Sequence, residues 1–239
     1  MGYLNHATAT DGGSISATVT NDKPAGVADG DLMIWAIHAD FSGGGTHFTW
    51  PGGWTPITTS PHSDSTVDDA QVALAYKVAS GEGTNYSCTL FQSDWWVSVI
   101  VAYDNCPASP YDTFAGSSTD ITADAGPSWT IDAVSLTTAT DNEIVLWFGA
   151  IDNATTDLGV SGPITYVSPS GFTDRGSVVN TNWCSMAWAD KVYATAGSTG
   201  SLTGSASVPS DTGNAGQIAV LVAFKQNASV VNLMGQCCL

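Results

Sequence analysis

The stretch ADGDLMIWAIHAD, from Ala28 to Asp40, decides the fold of this chain. It is a turn rich in Asp and Gly followed by a nearly continuous apolar run. Such a run predicts a β-strand covered on both faces, because a strand with one solvated face would alternate apolar and polar residues. A second copy, TDNEIVLWFGAID, runs from Thr140 to Asp152. The two copies align without gaps.

Three further motifs recur in the same order along the chain. PGGWTPI from Pro51 is repeated as PSGFTDR from Pro169, VALAYKV from Val72 as MAWADKV from Met186, and VSVIVAYDN from Val97 as IAVLVAFKQ from Ile218. Four elements repeated in one order predict an internal duplication. Loop insertions account for the small changes in spacing between the copies.

The rest of each half is typical of shorter strands. SISATVT (14–20) alternates apolar and polar residues, and WTIDAVSL (129–136), NYSCTLF (85–91) and SLTGSASV (201–208) supply further strands. We therefore predict an all-β protein, a jelly-roll-like antiparallel β-sandwich built from two pseudo-symmetric six-strand halves. Two separate small sandwiches are the alternative. We favour one sandwich, because the apolar runs need cover on both faces.

The repeat also predicts the boundaries of the chain's parts. They are an N-terminal arm (1–12), a first β repeat (13–106), a linker rich in Ser, Asp, Gly and Pro (107–127), a second β repeat (128–225) and a C-terminal tail (226–239).

Charge excludes several classes of function. The 239 residues include 22 acidic and 5 basic side chains, for a net charge of −17. Nucleic acids and anionic membranes are both bound through Lys and Arg, so neither is an expected partner. No apolar run is long enough to span a bilayer, and the first residues lack the pattern of a signal peptide. The five cysteines show no CxxC spacing, and we expect them to be mostly reduced.

Four short motifs carry a resemblance to a known family. They are Gly30-Asp31-Leu32, Pro51-Gly52-Gly53-Trp54-Thr55, Tyr76-Lys77-Val78-Ala79 and Ala102-Tyr103. In this order they resemble a module of tailed-bacteriophage virion proteins, found in tail appendages and in head fibres or decorations. The resemblance covers most of the chain, from about Gly13 to Lys225. It implies a β-sandwich with a non-enzymatic structural or binding role, and it brings no catalytic residues.

The loop before the second motif is the first candidate site. Trp54 on a Gly-rich loop could stack on a sugar ring. Its counterpart Phe172 is also aromatic, however, which favours a structural corner behind the turn. Trp50 has a serine as its counterpart, so Trp50 and the neighbouring His47 are the better candidates for a partner contact.

Other chemistry finds little support in the sequence. His6, His38, His47 and His62 are scattered, and the pair His38-x-Asp40 lacks a third ligand at a recognisable spacing. The Asp-rich segments 63–69 and 152–157 could bind calcium, although neither has the pattern of an EF-hand. No nucleophile motif or phosphate-binding loop occurs. We expect no enzyme activity, no metal and no cofactor.

These observations lead to one expectation and two rivals. We expect a structural protein of a virion, a capsid decoration or head-fibre subunit that is homo-oligomeric and binds the major capsid protein or other virion subunits. The rivals are a receptor- or glycan-binding tail or adhesin module, and a bacterial filament or surface-layer subunit. The apolar tail VVNLMGQCCL is expected to dock on a neighbouring subunit, through side chains that include Val230, Val231, Leu233, Met234 and Leu239.

Overall fold

The fold consists of antiparallel β-sheets. The computed structural model describes residues 1–40, 48–57, 62–63, 70–121, 128–133, 135–153, 164–180, 184–207 and 215–227, and these contain no helix. The strands are β1 (Tyr3–Thr10), β2 (Ser16–Asp22), β3 (Leu32–Asp40), β4 (Phe48–Thr49), β5 (Thr55–Pro56), β6 (His62–Ser63), β7 (Ala70–Val78), β8 (Asn85–Asp94), β9 (Trp96–Tyr103), β10 (Tyr111–Ile121), β11 (Ser128–Ala133), β12 (Thr137–Thr138), β13 (Glu143–Asn153), β14 (Thr165–Val167), β15 (Thr173–Val179), β16 (Cys184–Tyr193), β17 (Gly197–Ser198), β18 (Leu202–Ser207) and β19 (Ala215–Phe224).

Two large sheets and two small sheets share these strands. The first large sheet has the order β1-β9-β3-β7-β5, with β6 also paired to β7, and the second has the order β10-β19-β13-β16-β15. The small sheets are β2-β8-β4 and β11-β18-β14, and β12 pairs with β17 separately. Successive strands of each half alternate between a large and a small sheet for most of their length, as in a jelly roll.

The two large sheets have matching order and register. Strands formed by matching motifs occupy the same place in the two sheets: β3 and β13, β5 and β15, β7 and β16, and β9 and β19. Trp35 lies opposite Ala75 and Ile100, and Trp147 lies opposite Ala189 and Leu221, which are the pairs that the repeated motifs predict. A pseudo-symmetric relation between whole halves stays a prediction, whereas the shared strand order and register are observed.

The apolar residues form three packed layers between four sheets. Leu32, Ile34 and other alternate residues of the first large sheet pack against alternate residues of the second large sheet. The intervening residues, such as Trp35 and Ile37, pack against the first small sheet. Trp147 and its neighbours pack in the same way against the second small sheet. Each large sheet is therefore covered on both faces, as its continuous apolar runs predict.

This arrangement combines the two alternatives left by the sequence. Each half has a core of its own between a large and a small sheet, and the two large sheets form a third core between the halves. Buried apolar faces on both sides of a sheet need two partners, and a single two-layer sandwich supplies only one. Each half also contains more than the six expected strands.

The arm and the linker contain strands that the sequence analysis did not predict. Residues 3–10 form β1 on the edge of β9, and residues 111–121 form β10 on the edge of β19. Both satisfy backbone hydrogen-bonding groups that would otherwise lie on the open edge of a large sheet. Their weak apolar patterns are equally typical of connecting segments.

Candidate functional site

The corner at Pro51 is a tight turn held over a lysine. The N–H of Trp54 donates to the carbonyl of Pro51 (3.2 Å), and Gly53 has φ +85°, as a type II turn requires. A Cβ atom on Gly53 would lie 3.2 Å from Nζ of Lys77. The lysine therefore packs directly beneath the turn.

The second half builds the same corner. The N–H of Phe172 donates to the carbonyl of Pro169 (3.0 Å), and Gly171 has φ +78°. A Cβ atom on Gly171 would lie 3.2 Å from Nζ of Lys191. The motif PGGWT and its repeat PSGFT thus form the same structural corner in the two halves.

The predicted role of Trp54 as a partner contact does not fit its position in the structure. Its side chain is only 6% exposed, and its ring lies 5.2 Å from the ring of Trp35 and 5.2 Å from that of Tyr86, both edge-on. A buried indole has no face on which a ligand could stack. The residue plugs the core behind the turn.

Trp50 keeps a partly exposed position at the end of β4. Its ring meets that of Trp35 edge-on at 5.4 Å and stacks with that of Phe48 at 6.2 Å. One side is therefore held by the core, and the rest is open to solvent. His47, its predicted companion, lies outside the described residues. So do Val230, Val231, Leu233, Met234 and Leu239, and most of the Asp-rich segments considered for calcium.

Two histidines, His6 and His38, serve packing. His38 is fully buried between the large sheets, with Nδ1 3.2 Å from the carbonyl oxygen of Ser185. Burial lowers the pKa of His38 to about 4, so the ring is neutral at neutral pH. His6 contacts Tyr3 through a 2.5 Å hydrogen bond and lies edge-on to Trp188. Among the described residues, no three His, Cys, Asp or Glu side chains are placed to hold a metal ion.

A partly buried ion pair of the second half contacts tyrosines of the first half, and sequence reasoning missed it. The Tyr103 hydroxyl donates to Oδ2 of Asp190 (2.6 Å), and Arg175 donates to both Asp190 oxygens (2.8 and 3.0 Å). The Arg175 guanidinium also lies 4.3 Å from the centre of the Tyr3 ring. The signal available in the sequence was a charged residue in the middle of the apolar run MAWADKV.

Two of the three described cysteines are buried thiols. Cys88, Cys106 and Cys184 are free, and Cys88 and Cys184 are buried. Burial raises the pKa of Cys88 to about 12, and burial also raises that of Cys184. A thiol with a raised pKa supplies little thiolate, so neither is a nucleophile of the kind that enzymes use.

The outer faces of the small sheets carry hydroxyls and carboxylates. On the first, Thr20 and Ser87 join their hydroxyl oxygens across β2 and β8 at 3.0 Å. On the second, the hydroxyl of Thr203 donates to Asp132 at 2.7 Å. These faces are solvated. Most apolar residues of these strands point inward, but Phe91 of β8 is 77% exposed and Val167 of β14 is 59% exposed.

Comparison with known proteins identifies no relative of this chain among protein-family models or curated proteins. Among the described residues, no helical segment could cross a lipid bilayer.

Proposed function

We propose that this chain is a non-enzymatic structural subunit of a bacteriophage particle, a capsid decoration or head-fibre protein. The observation that carries the proposal is the apolar core between the two sandwiches. It joins the two halves into one four-layer body whose outer sheets carry mostly polar residues on their solvent faces. Such a body suits a protein that must stay folded and soluble at high local density on a particle surface.

The residues that sequence and structure single out as possible reactive or binding groups support the same function, because they pack inside the fold. Trp54, His38 and the partly buried ion pair around Asp190 all serve packing. Of the motifs that resemble virion modules, Pro51-Gly52-Gly53-Trp54-Thr55 forms a corner, and the others lie in or beside the strands of the first large sheet. The expected partners are the major capsid protein or other virion subunits, and further copies of this chain.

Localisation on particles tests this proposal. Gold-labelled antibody against the chain is applied to virus particles from the source culture and viewed by electron microscopy. Label distributed over icosahedral heads is the expected result. Label confined to tail tips, or found only on cells, contradicts a head decoration.

Removal of the tail tests how the subunit attaches. Deletion of residues 230–239 should abolish binding to particles while circular dichroism and the melting temperature stay unchanged, because the described sheets end at Phe224. A truncated protein that still binds particles as the full chain does would show that the tail is not the docking segment.

A receptor- or glycan-binding role is the second candidate, and the partial exposure of Trp50 is the observation that favours it. A glycan screen with the full chain and with Trp50→Ala tests it. A glycan bound by the full chain and lost in Trp50→Ala would support this role. Val167→Ala is the matched control, since Val167 is an exposed apolar residue of the other half.

A further inference from the structure

Three side chains meet at one end of the second large sheet. Lys225 follows β19, Asp112 lies in β10 at a shift in the pairing register, and Glu143 is the first residue of β13. Nζ of Lys225 lies 3.6 Å from Oδ1 of Asp112. The Asp112 side chain is 8% exposed and Glu143 is fully buried.

The carboxyl group of Glu143 lies beside that of Asp112. Oε1 of Glu143 accepts hydrogen bonds from the N–H and the hydroxyl of Thr140 (2.8 and 2.7 Å). Oε2 has no donor among the described residues, and the carboxyl lies against that of Asp112. Two carboxylates are both acceptors, so this contact is a hydrogen bond only when one group is protonated. Burial, and then the neighbouring Asp112, raises the pKa of Glu143.

This combination is specific to the second half. The matching register places Leu4, Asp31 and Asp104 where the second half has Asp112, Glu143 and Lys225. The two halves share one carboxyl group, which accepts a hydrogen bond in the turn before β3 or β13: Asp31 in the first half and Glu143 in the second. It accepts from the N–H of Ala28 in one half and of Thr140 in the other. The amine and the second carboxyl group are additions to a shared backbone.

We propose that Lys225 and Asp112 condense into an intramolecular amide, with Glu143 as the group that accepts and returns the proton. Glu143 first passes its proton to Asp112, and the ammonium of Lys225 then transfers a proton to the ionised Glu143. The free amine then attacks Cγ of the protonated Asp112. A proton moves to the departing hydroxyl, the C–O bond breaks, and water leaves. Lys-NH₃⁺, Asp-COOH and Glu-COO⁻ become the amide, one water and Glu-COOH, so atoms and charge balance.

The backbone around the three side chains favours this reaction. The N–H of Ala139 donates to Oδ2 of Asp112 (3.0 Å) and would stabilise the negative oxygen of the tetrahedral intermediate. The N–H of Lys225 donates to the carbonyl of Pro110 (2.7 Å), which fixes the base of the lysine beside β10. The amine and its target are therefore positioned before any bond forms, which lowers the entropic cost of the step.

Mass spectrometry of the intact, purified chain tests the proposal. The expected mass is lower than that of the sequence by one water molecule. Proteolysis should release a branched peptide in which Lys225 is joined to Asp112. Lys225→Arg, Asp112→Ala and Glu143→Gln should each restore the full mass. Circular dichroism shows whether each variant is folded, and Lys225→Arg keeps the charge of the ion pair.

The Lys77–Glu82 pair provides an internal control. Its N–O distance of 2.8 Å is shorter, but Glu82 accepts from the hydroxyl of Tyr86 and has no second carboxyl group in its hydrogen bonds. No branched peptide should contain Lys77. The proposal is overturned if the unmodified chain has its full sequence mass, or if the branched peptide links other residues. It is also overturned if the mass loss persists in Lys225→Arg.

Discussion

A glycine at one turn position decides how the corner of each half forms. Gly53 and Gly171 have positive φ and leave room for a lysine beneath the turn. The sequence predicted the corner, because an aromatic residue recurs behind the turn in both halves. It could not predict the lysine contact, since Lys77 is distant along the chain and reaches the turn only through the pairing of β5 with β7.

Replacing this glycine should destabilise the fold. Gly53→Ala places a Cβ atom at positive φ and against the Lys77 side chain, and we expect a loss of about 1–2 kcal/mol in the free energy of unfolding. Denaturant unfolding measures it. Gly52→Ala is the matched control, because nothing lies within 4 Å of its Cβ position. Equal effects of the two substitutions would contradict this account of the corner.

His38 should make the protein sensitive to acid. Its pKa is about 4 in the folded state against 6.5 as the ordinary value. The unfolded state therefore binds a proton first as the pH falls, and stability is lost between pH 6.5 and 4. The full effect of that pKa difference is about 3 kcal/mol.

Denaturant unfolding at pH 7 and at pH 4.5, for the natural chain and for His38→Gln, measures this effect. Asp and Glu residues titrate in both proteins, so the difference between them isolates the histidine. We expect the natural chain to lose more stability than His38→Gln on acidification. Equal losses would mean that the ring is protonated without cost.

The duplicated tryptophans show where residue-level prediction fails. Nε1 of Trp35 donates to the hydroxyl of Ser98 (2.8 Å). Trp147 aligns with Trp35, yet no acceptor for its Nε1 is found in the described part of the chain. Its ring instead fills the space above Gly149 and Gly204, where a Cβ atom would collide with it. The internal repeat predicts that both tryptophans are buried. The orientation of each ring, however, depends on neighbours from other strands.

At the scale of elements, continuous apolar strands were predictable and edge strands were not. The strands β3, β7, β9 and their counterparts are covered on both faces, so their sequences are distinctive. β10, with the sequence YDTFAGSSTDI, lies at a sheet edge and carries mostly small and polar residues. Such a composition is also typical of a linker, and only pairing with β19 distinguishes the two.

The ion pair between β15 and β16 should contribute measurably to stability. Asp190→Asn leaves the partly buried Arg175 without a charged partner and weakens the link to Tyr103, and we expect a loss of about 2–3 kcal/mol. The melting temperature and denaturant unfolding measure it. Asp132→Asn, an exposed acceptor of a single hydroxyl, is the control and should change stability by less than about 0.5 kcal/mol. A loss no larger than that of the control would show that the pair contributes nothing net.

At the scale of the whole molecule, the halves should depend on each other. The face that each large sheet presents to the other is apolar, with Leu32, Leu74 and Val99 on one side and Leu146 and Phe148 on the other. A fragment of residues 1–107 would expose this face to water and should aggregate or self-associate.

Co-expression with residues 108–239 should restore a soluble complex with one copy of each fragment. Size-exclusion chromatography with light scattering distinguishes these states. A monomeric, folded fragment 1–107 would show that the core between the halves is dispensable, and that each sandwich is an independent domain.

The placement of the five basic side chains has a consequence for copies of this chain that lie side by side. Each is half-buried and engaged: Lys23 with a backbone carbonyl, Lys77 with Glu82, Arg175 with Asp190, Lys191 over the Tyr193 ring and Lys225 with Asp112. Exposed aspartates such as Asp22 and Asp174 therefore face solvent, and no fully exposed Lys or Arg side chain offsets their negative charge. Adjacent subunits would repel over a distance set by dissolved salt, about 10 Å at 0.1 M. Ionic strength would then limit how closely such subunits can be spaced.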